Sequence, residues 1–277
     1  LDGKIIKKIS ESSLLEVLPK GFMATKKGKR SISWRSDLPS SLKYIEALDG
    51  GDPSTKVDYR DKLMNWDAPF NQKPKLLLKT INRINSINWG NENVAIVRDI
   101  WWNNRNTKTY LFNPSNSKSK PKIISERNYQ DVYSNPGSFV TKRNSLNRNV
   151  LLIEDNHLYR IADGFSKEGQ FPYVEKLNIN NLATSKIYKS NYKNKFENII
   201  DFDFKKNQLF VRIESKEDFP NYYFRKLSKE NKLNQITFFK NPFESLKKVS
   251  KETITYKRED GLDLSGILYL PPGYDKN

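Results

Sequence analysis

The chain has 277 residues, no cysteine and one histidine, which excludes a disulfide framework, a thiolate metal site and a multi-histidine metal centre. The net charge of +17 invites a nucleic-acid reading, but lysine far outnumbers arginine and is scattered from Lys4 to Lys276, with asparagine also abundant. That is a general compositional bias rather than a basic face, so the expectation is salt-sensitive attraction to polyanions and no specific nucleic-acid partner.

In chain order, short apolar or alternating runs are separated by clusters of Asn, Asp, Gly, Ser and Pro. The first are SISW (31–34), LKYIEAL (42–48), KLMNW (62–66) and KLLLKT (75–80). INSINW (84–89), NVAIVRDIWW (93–102) and KTYLF (108–112) follow, then NVLLIE (149–154), HLYRI (157–161), NIIDFDF (198–204), QLFVRIE (208–214) and NYYFRKL (221–227). Runs of this length, rich in Ile, Val, Tyr, Phe and Trp, predict an all-β chain. They group into about four meanders of four antiparallel strands, near 22–70, 75–127, 137–190 and 196–240. That grouping fits a partial β-propeller better than a sandwich, which would also give short strands at this spacing. No run approaches the ~18 apolar residues that span a bilayer.

The last stretch, ETITYKREDGLDLSGILYLPPGYDKN (252–277), reads as a hairpin. Glu259-Asp260-Gly261 lies between two alternating runs, and glycine supplies the positive φ such a turn needs.

Candidate chemistry is sparse. GFSKEG (164–169) has one residue too many for the G-x-S-x-G nucleophile elbow and reads as a surface loop. His157, the one possible imidazole base, opens a strand beside Glu154 and Asp155 and reads as a strand-edge residue. Glu46, Asp49 and Asp52 in EALDGGDP (46–53) lack the ordered spacing of a calcium loop and read as a turn. In DIWWNNR (99–105), strand alternation predicts one tryptophan in the core and its neighbour outward. No residue set here supports covalent or metal-assisted catalysis, and no cofactor or metal is expected.

Longer strings carry more. KGKRSISWRSDLPSSLKYIEALDGGDPSTKVDYRDKLMNWDAPF (27–70) closely resembles a segment of the glutamyl endopeptidases, a branch of the prolyl oligopeptidase family of serine peptidases. So do RINSINWG (83–90), NYQDVYSNPGSF (128–139), EGQFPYV (168–174), RIESKEDFPNYYF (212–224) and ITYKREDGLDLSGILYLPPGYD (253–275). The matches keep one order along nearly the whole chain.

The resemblance implies an N-terminal propeller followed by an α/β-hydrolase domain. Residues 1–250 would be the later part of that propeller, with LDGKIIKKI (1–9) similar to the last strand of an earlier blade. Residues 251–277 would be the opening hairpin of the hydrolase, and the Ser-Asp-His triad would lie beyond residue 277. The chain itself would then be non-catalytic, capping the active site, restricting access and meeting peptide substrates through its parent enzyme and that enzyme's hydrolase domain. A glutamate-preferring enzyme needs a cation for the substrate carboxylate; Arg35, Arg60, Arg98 and Arg105 are the candidates in or beside the matching blocks. Family membership also suggests a periplasmic or secreted parent. The alternative is a stand-alone propeller acting as an interaction module. Open blade edges would favour self-association of the isolated chain.

Overall fold

The computed structural model describes residues 3–274 except Ile6 and Ser13. Two compact units comprise residues 1–190 and 191–277. Among the described residues the only helical pieces are single turns, and the regular structure is antiparallel β.

Blade 1 contains β1 (Arg30–Trp34), β2 (Ser41–Ala47), β3 (Asp61–Asp67) and β4 (Lys75–Thr80), paired in chain order. Blade 2 repeats the meander with β5 (Arg83–Asn91), β6 (Val94–Trp101), β7 (Asn106–Phe112) and β8 (Lys122–Asn128). The strand at 75–80 therefore closes the first blade instead of opening the second: Leu63 of β3 sits opposite Leu78. The described residues of 1–9 form no strand, and Leu1, Asp2 and Ile6 of that string, like Asp275, Lys276 and Asn277, lie outside the described residues.

Blade 3 is irregular. β9 (Ser138–Phe139) leads into a hairpin of β10 (Thr141–Arg143) and β11 (Asn149–Leu151), and β12 (Ile153–Glu154) follows. Both β9 and β12 pair with β13 (His157–Ala162), so the hairpin interrupts a single inner strand. A tight pair, β14 (Phe165–Ser166) and β15 (Gly169–Gln170), precedes β16 (Tyr173–Asn178) and β17 (Thr184–Lys189). The GFSKEG string is this small hairpin.

The second unit holds blade 4, made of β18 (Lys195–Asp203), β19 (Gln208–Ser215), β20 (Asn221–Lys226) and β21 (Leu233–Gln235). It also contains a separate two-stranded hairpin, β22 (Ser250–Lys257) and β23 (Asp263–Leu270). In the turn of that hairpin Gly261 adopts φ +85° and donates to the Arg258 carbonyl at 2.8 Å.

Strand β6 shows why the first unit coheres. Successive side chains of a strand point to opposite faces. Ala95 and Val97 join Ile45, Leu63 and Leu78 of blade 1 in one apolar cluster. Val94 and Ile96 join Leu151, Leu158 and Leu177 of blade 3 in another. The VAIV run is continuous because blade 2 is covered on both faces. Each fully buried Leu or Val contributes about 1.5–3 kcal/mol relative to exposure.

Polar groups fasten blade 1 to blade 2. Arg83, the first residue of β5, reaches Asp49 at 2.8 Å and Asp61 at 3.1 Å, and the Ile84 N–H donates to Asp61 at 2.7 Å. Arg60 adds a bond to Asp49 at 2.8 Å, and Arg30 pairs with Asp61. Both carboxylates are fully enclosed. Burial, opposed by Arg30 and Arg83, raises the Asp61 carboxyl above the ordinary range. The expected turn at 46–53 forms, with Asp49 as an ion-pair centre.

Candidate anion site between two blades

The four candidate arginines have different surroundings. Arg35 is buried and grips Asp37 through Nε (3.0 Å) and Nη2 (2.6 Å), while Nη1 donates to Asn65 at 3.1 Å. Its guanidinium also lies 4.1 Å from the Trp89 ring centroid. Arg60 pairs with Asp49 and lies 3.9 Å from the Trp101 ring centroid. Arg105 donates to the Trp102 carbonyl at 2.5 Å and to Tyr129 Oη at 3.3 Å, with its guanidinium 4.0 Å from the Trp102 centroid. These three are occupied in tying strands and loops together.

Arg98 differs. It is exposed, and its side chain makes no hydrogen bond or ion pair among the described residues. Its position follows from the register of blade 2. Ser86, Arg98, Thr109 and Ser125 lie opposite one another in a row across β5, β6, β7 and β8. The neighbouring row runs through Ile100, Thr107 and Arg127. Two residues before Arg98, on the same face of β6, Ile96 is packed into the apolar cluster shared with blade 3. The face of blade 2 is thus split: one half is dry and aliphatic, and the other lines an open cleft of about 170 Å³.

Three guanidinium groups line that cleft. Arg127 is held by its own loop: Nη1 donates to the carbonyls of Asn128 (3.0 Å) and Asp131 (2.9 Å), and Nη2 donates to Asn135 Oδ1 (3.1 Å). Burial, and then the positive charge of Arg98, pull its pKa below the usual arginine value. Arg160 comes from β13 of blade 3, where it is directly opposite Glu175 in register and paired with it. Its Nε is buried with no hydrogen-bond partner among the described residues. No acidic side chain lines the cleft.

The opposite wall is residues 135–139. Gly137 has φ +86°, and a Cβ there would lie 2.0 Å from the Ile161 carbonyl oxygen. Only glycine lets this wall approach β13 so closely.

Arg127 and Arg160 escaped the sequence reading. Their signals are an arginine on the Arg98 face once the meander register is laid out, and an arginine within the apolar HLYRI strand. The tryptophan pair also departs from expectation. Trp101 is only partly buried under Arg60 and Trp102 is 40% exposed, tilted at 44° against Phe22 with centroids 4.6 Å apart. Strand β6 ends at Trp101, so the alternation that would send one ring into the core stops there. His157 serves its turn, with Nδ1 2.6 Å from the Asp155 carbonyl oxygen and Nε2 3.4 Å from Asn178 Nδ2.

Among the described residues no group of three His, Cys, Asp or Glu side chains could hold a metal ion. Nor is any helix long and apolar enough to cross a membrane.

No family model matches the chain. It is 32% identical over 291 residues to a probable chloroplastic glutamyl endopeptidase of Oryza sativa subsp. japonica, a match covering 99% of this chain and 31% of that protein. It is 31% identical over 291 residues to a counterpart in Arabidopsis thaliana, covering 99% of this chain and 30% of that one. The chain therefore spans about a third of the length of these relatives. A solved structure of oligopeptidase B from Trypanosoma brucei, with covalently bound antipain, aligns over 89% of this chain and 39% of its own, at 10% identity and a TM-score of 0.44.

Four-stranded antiparallel blades, joined to this relationship along the whole sequence, place the chain in the prolyl oligopeptidase family of serine peptidases. Within that family its similarity is to the glutamyl endopeptidase branch.

Proposed function

We propose that this chain is the non-catalytic propeller portion of a serine endopeptidase, with residues 1–250 walling and capping a catalytic cavity and residues 251–277 opening an α/β-hydrolase domain. The observation that carries the reading is the 32% identity maintained over 99% of the chain. Peptide-bond hydrolysis by a Ser-Asp-His triad is then assigned outside residues 1–277. The blades contribute by excluding water and large folded substrates and by positioning peptide substrates.

The hairpin β22–β23 supports the division at about residue 250. Ile254, Tyr256, Ile267 and Tyr269 expose large apolar surfaces, and an isolated two-stranded hairpin is at best marginally stable in water. A larger sheet that covers those side chains suits them.

The test uses the native protein in its source. Its intact mass, against the 32.4 kDa of this chain, and labelling by a serine-reactive fluorophosphonate are measured together. A mass at least about twice as large, with labelling and with cleavage of short peptides in preference to folded proteins, is the expected result. A native mass equal to this chain's and no labelling would overturn the reading and leave an interaction module.

A further inference from the structure

We propose that the cleft between blades 2 and 3 is a binding site for a small oxyanion, phosphate or carboxylate, held by Arg98, Arg127 and Arg160. The proposal does not depend on the peptidase reading.

Three independent features point to an anion. Arg98 is a charged side chain without a partner among the described residues, placed on a sheet face whose next residues in the strand are packed against blade 3. Arg160 is nine-tenths buried, with its side chain 7% exposed; Glu175 satisfies one end of the guanidinium, while Nε has no acceptor among the described residues. A buried donor left unpaired is costly, so negative charge beside this guanidinium is favoured. Finally, Arg127 is fixed by three bonds to its own loop beside Arg98, although the two charges repel. A shared oxyanion would offset that repulsion, since charge-assisted and bidentate guanidinium contacts are the strongest hydrogen bonds available here.

The rest of the lining agrees. Thr109 and Ser125 offer hydroxyl donors between the arginines, and no carboxylate competes. The volume of about 170 Å³ suits a phosphate or a carboxylate-bearing side chain rather than a nucleotide. Arg127 and Arg160 are held in place before any ligand arrives, so little ordering cost falls on binding. Arg98 is the one of the three guanidinium groups that no other described side chain holds.

Isothermal titration calorimetry at constant ionic strength tests this, with inorganic phosphate in one arm and N-acetylglutamate in the other, each against chloride. The proteins are the wild type, Arg98→Gln, Arg98→Lys, and Arg258→Gln, whose arginine lies in the hairpin of the second unit. The wild type and Arg258→Gln should bind at least one probe beyond chloride. Arg98→Gln should weaken that binding about tenfold or more, with Arg98→Lys intermediate because it keeps charge but loses the fork. The stronger arm identifies the oxyanion source. Thermal unfolding of each variant without probe shows that it is folded, which is expected because Arg98 is exposed. Equal binding by Arg98→Gln and wild type, or no binding of either probe by folded wild type, would overturn the proposal.

Discussion

Arg148 Nη1 donates to the Leu38 carbonyl at 2.8 Å although the two residues are 110 positions apart. The same nitrogen reaches the Arg35 carbonyl at 2.9 Å, and Asn144 Nδ2 donates to the Ser36 carbonyl at 2.8 Å. The turn of the β10–β11 hairpin in blade 3 therefore fastens onto the β1–β2 loop of blade 1. Arg148→Ala removes a charged donor from two partly buried carbonyls. It should cost about 1–3 kcal/mol of unfolding free energy, read by denaturant titration. An unchanged midpoint would mean the strap is ornamental.

A second prediction concerns Asp99. This fully buried carboxylate has no cation on it among the described residues; it accepts from the Asn82 N–H (3.0 Å), Asn82 Nδ2 (3.1 Å), the Lys108 N–H (2.9 Å) and Tyr110 Oη (2.9 Å). Burial first, and then the Asp99 charge, raise the Tyr110 phenol well above its ordinary value. Tyr110→Phe withdraws one of four neutral donors from a buried charge. The expected loss is about 1–3 kcal/mol. A substitution that proves neutral in thermal and denaturant unfolding would show that the other three donors suffice.

Alkaline pH should weaken the first unit through Tyr44. The residue is 2% exposed, and burial, aided by Glu46, pushes its pKa up from 10.0 to about 12. Between those values the folded chain holds a proton that the unfolded chain has released, so stability falls as pH rises. The contribution is fully present below pH 10 and is lost as pH climbs through about 12. Denaturant midpoints measured across this window should drop, and Tyr44→Phe should flatten the slope. Ultraviolet titration should find this phenol ionising later than an exposed tyrosine.

Gly137→Ala places a methyl group 2.0 Å from the Ile161 carbonyl oxygen in a backbone with φ +86°. Both the contact and the left-handed conformation oppose it. The expected cost is about 2–4 kcal/mol. Because residues 135–139 are the wall of the arginine cleft, anion binding should fall along with stability, read by calorimetry on the folded fraction.

The alternating runs made the strands legible in advance, since burial on one or both faces writes itself into the sequence as period two or as a solid apolar run like VAIV. The positive φ of Gly261 was legible for the same local reason. What the sequence could not supply was the register that brings Arg98 and Arg127 onto one face, because that depends on a bulge between Thr109 and Tyr110. The assignment of Lys75–Thr80 to the first blade was hidden likewise: its Leu-rich pattern fits either neighbour, and only the Leu63–Leu78 pairing decides. The tryptophan pair misled because alternation was carried one residue past the end of β6.

The strap from blade 3 to blade 1 also bears on the order of events during folding. Each meander closes through contacts between near neighbours in the chain, whereas the Arg148–Leu38 bond must wait for more than a hundred intervening residues to be in place. Long-range closure of this kind is slow to find but adds little entropic cost with each extra residue. The hairpin is therefore expected to seat after the local meanders and to act mainly on the rate at which the first three blades come apart.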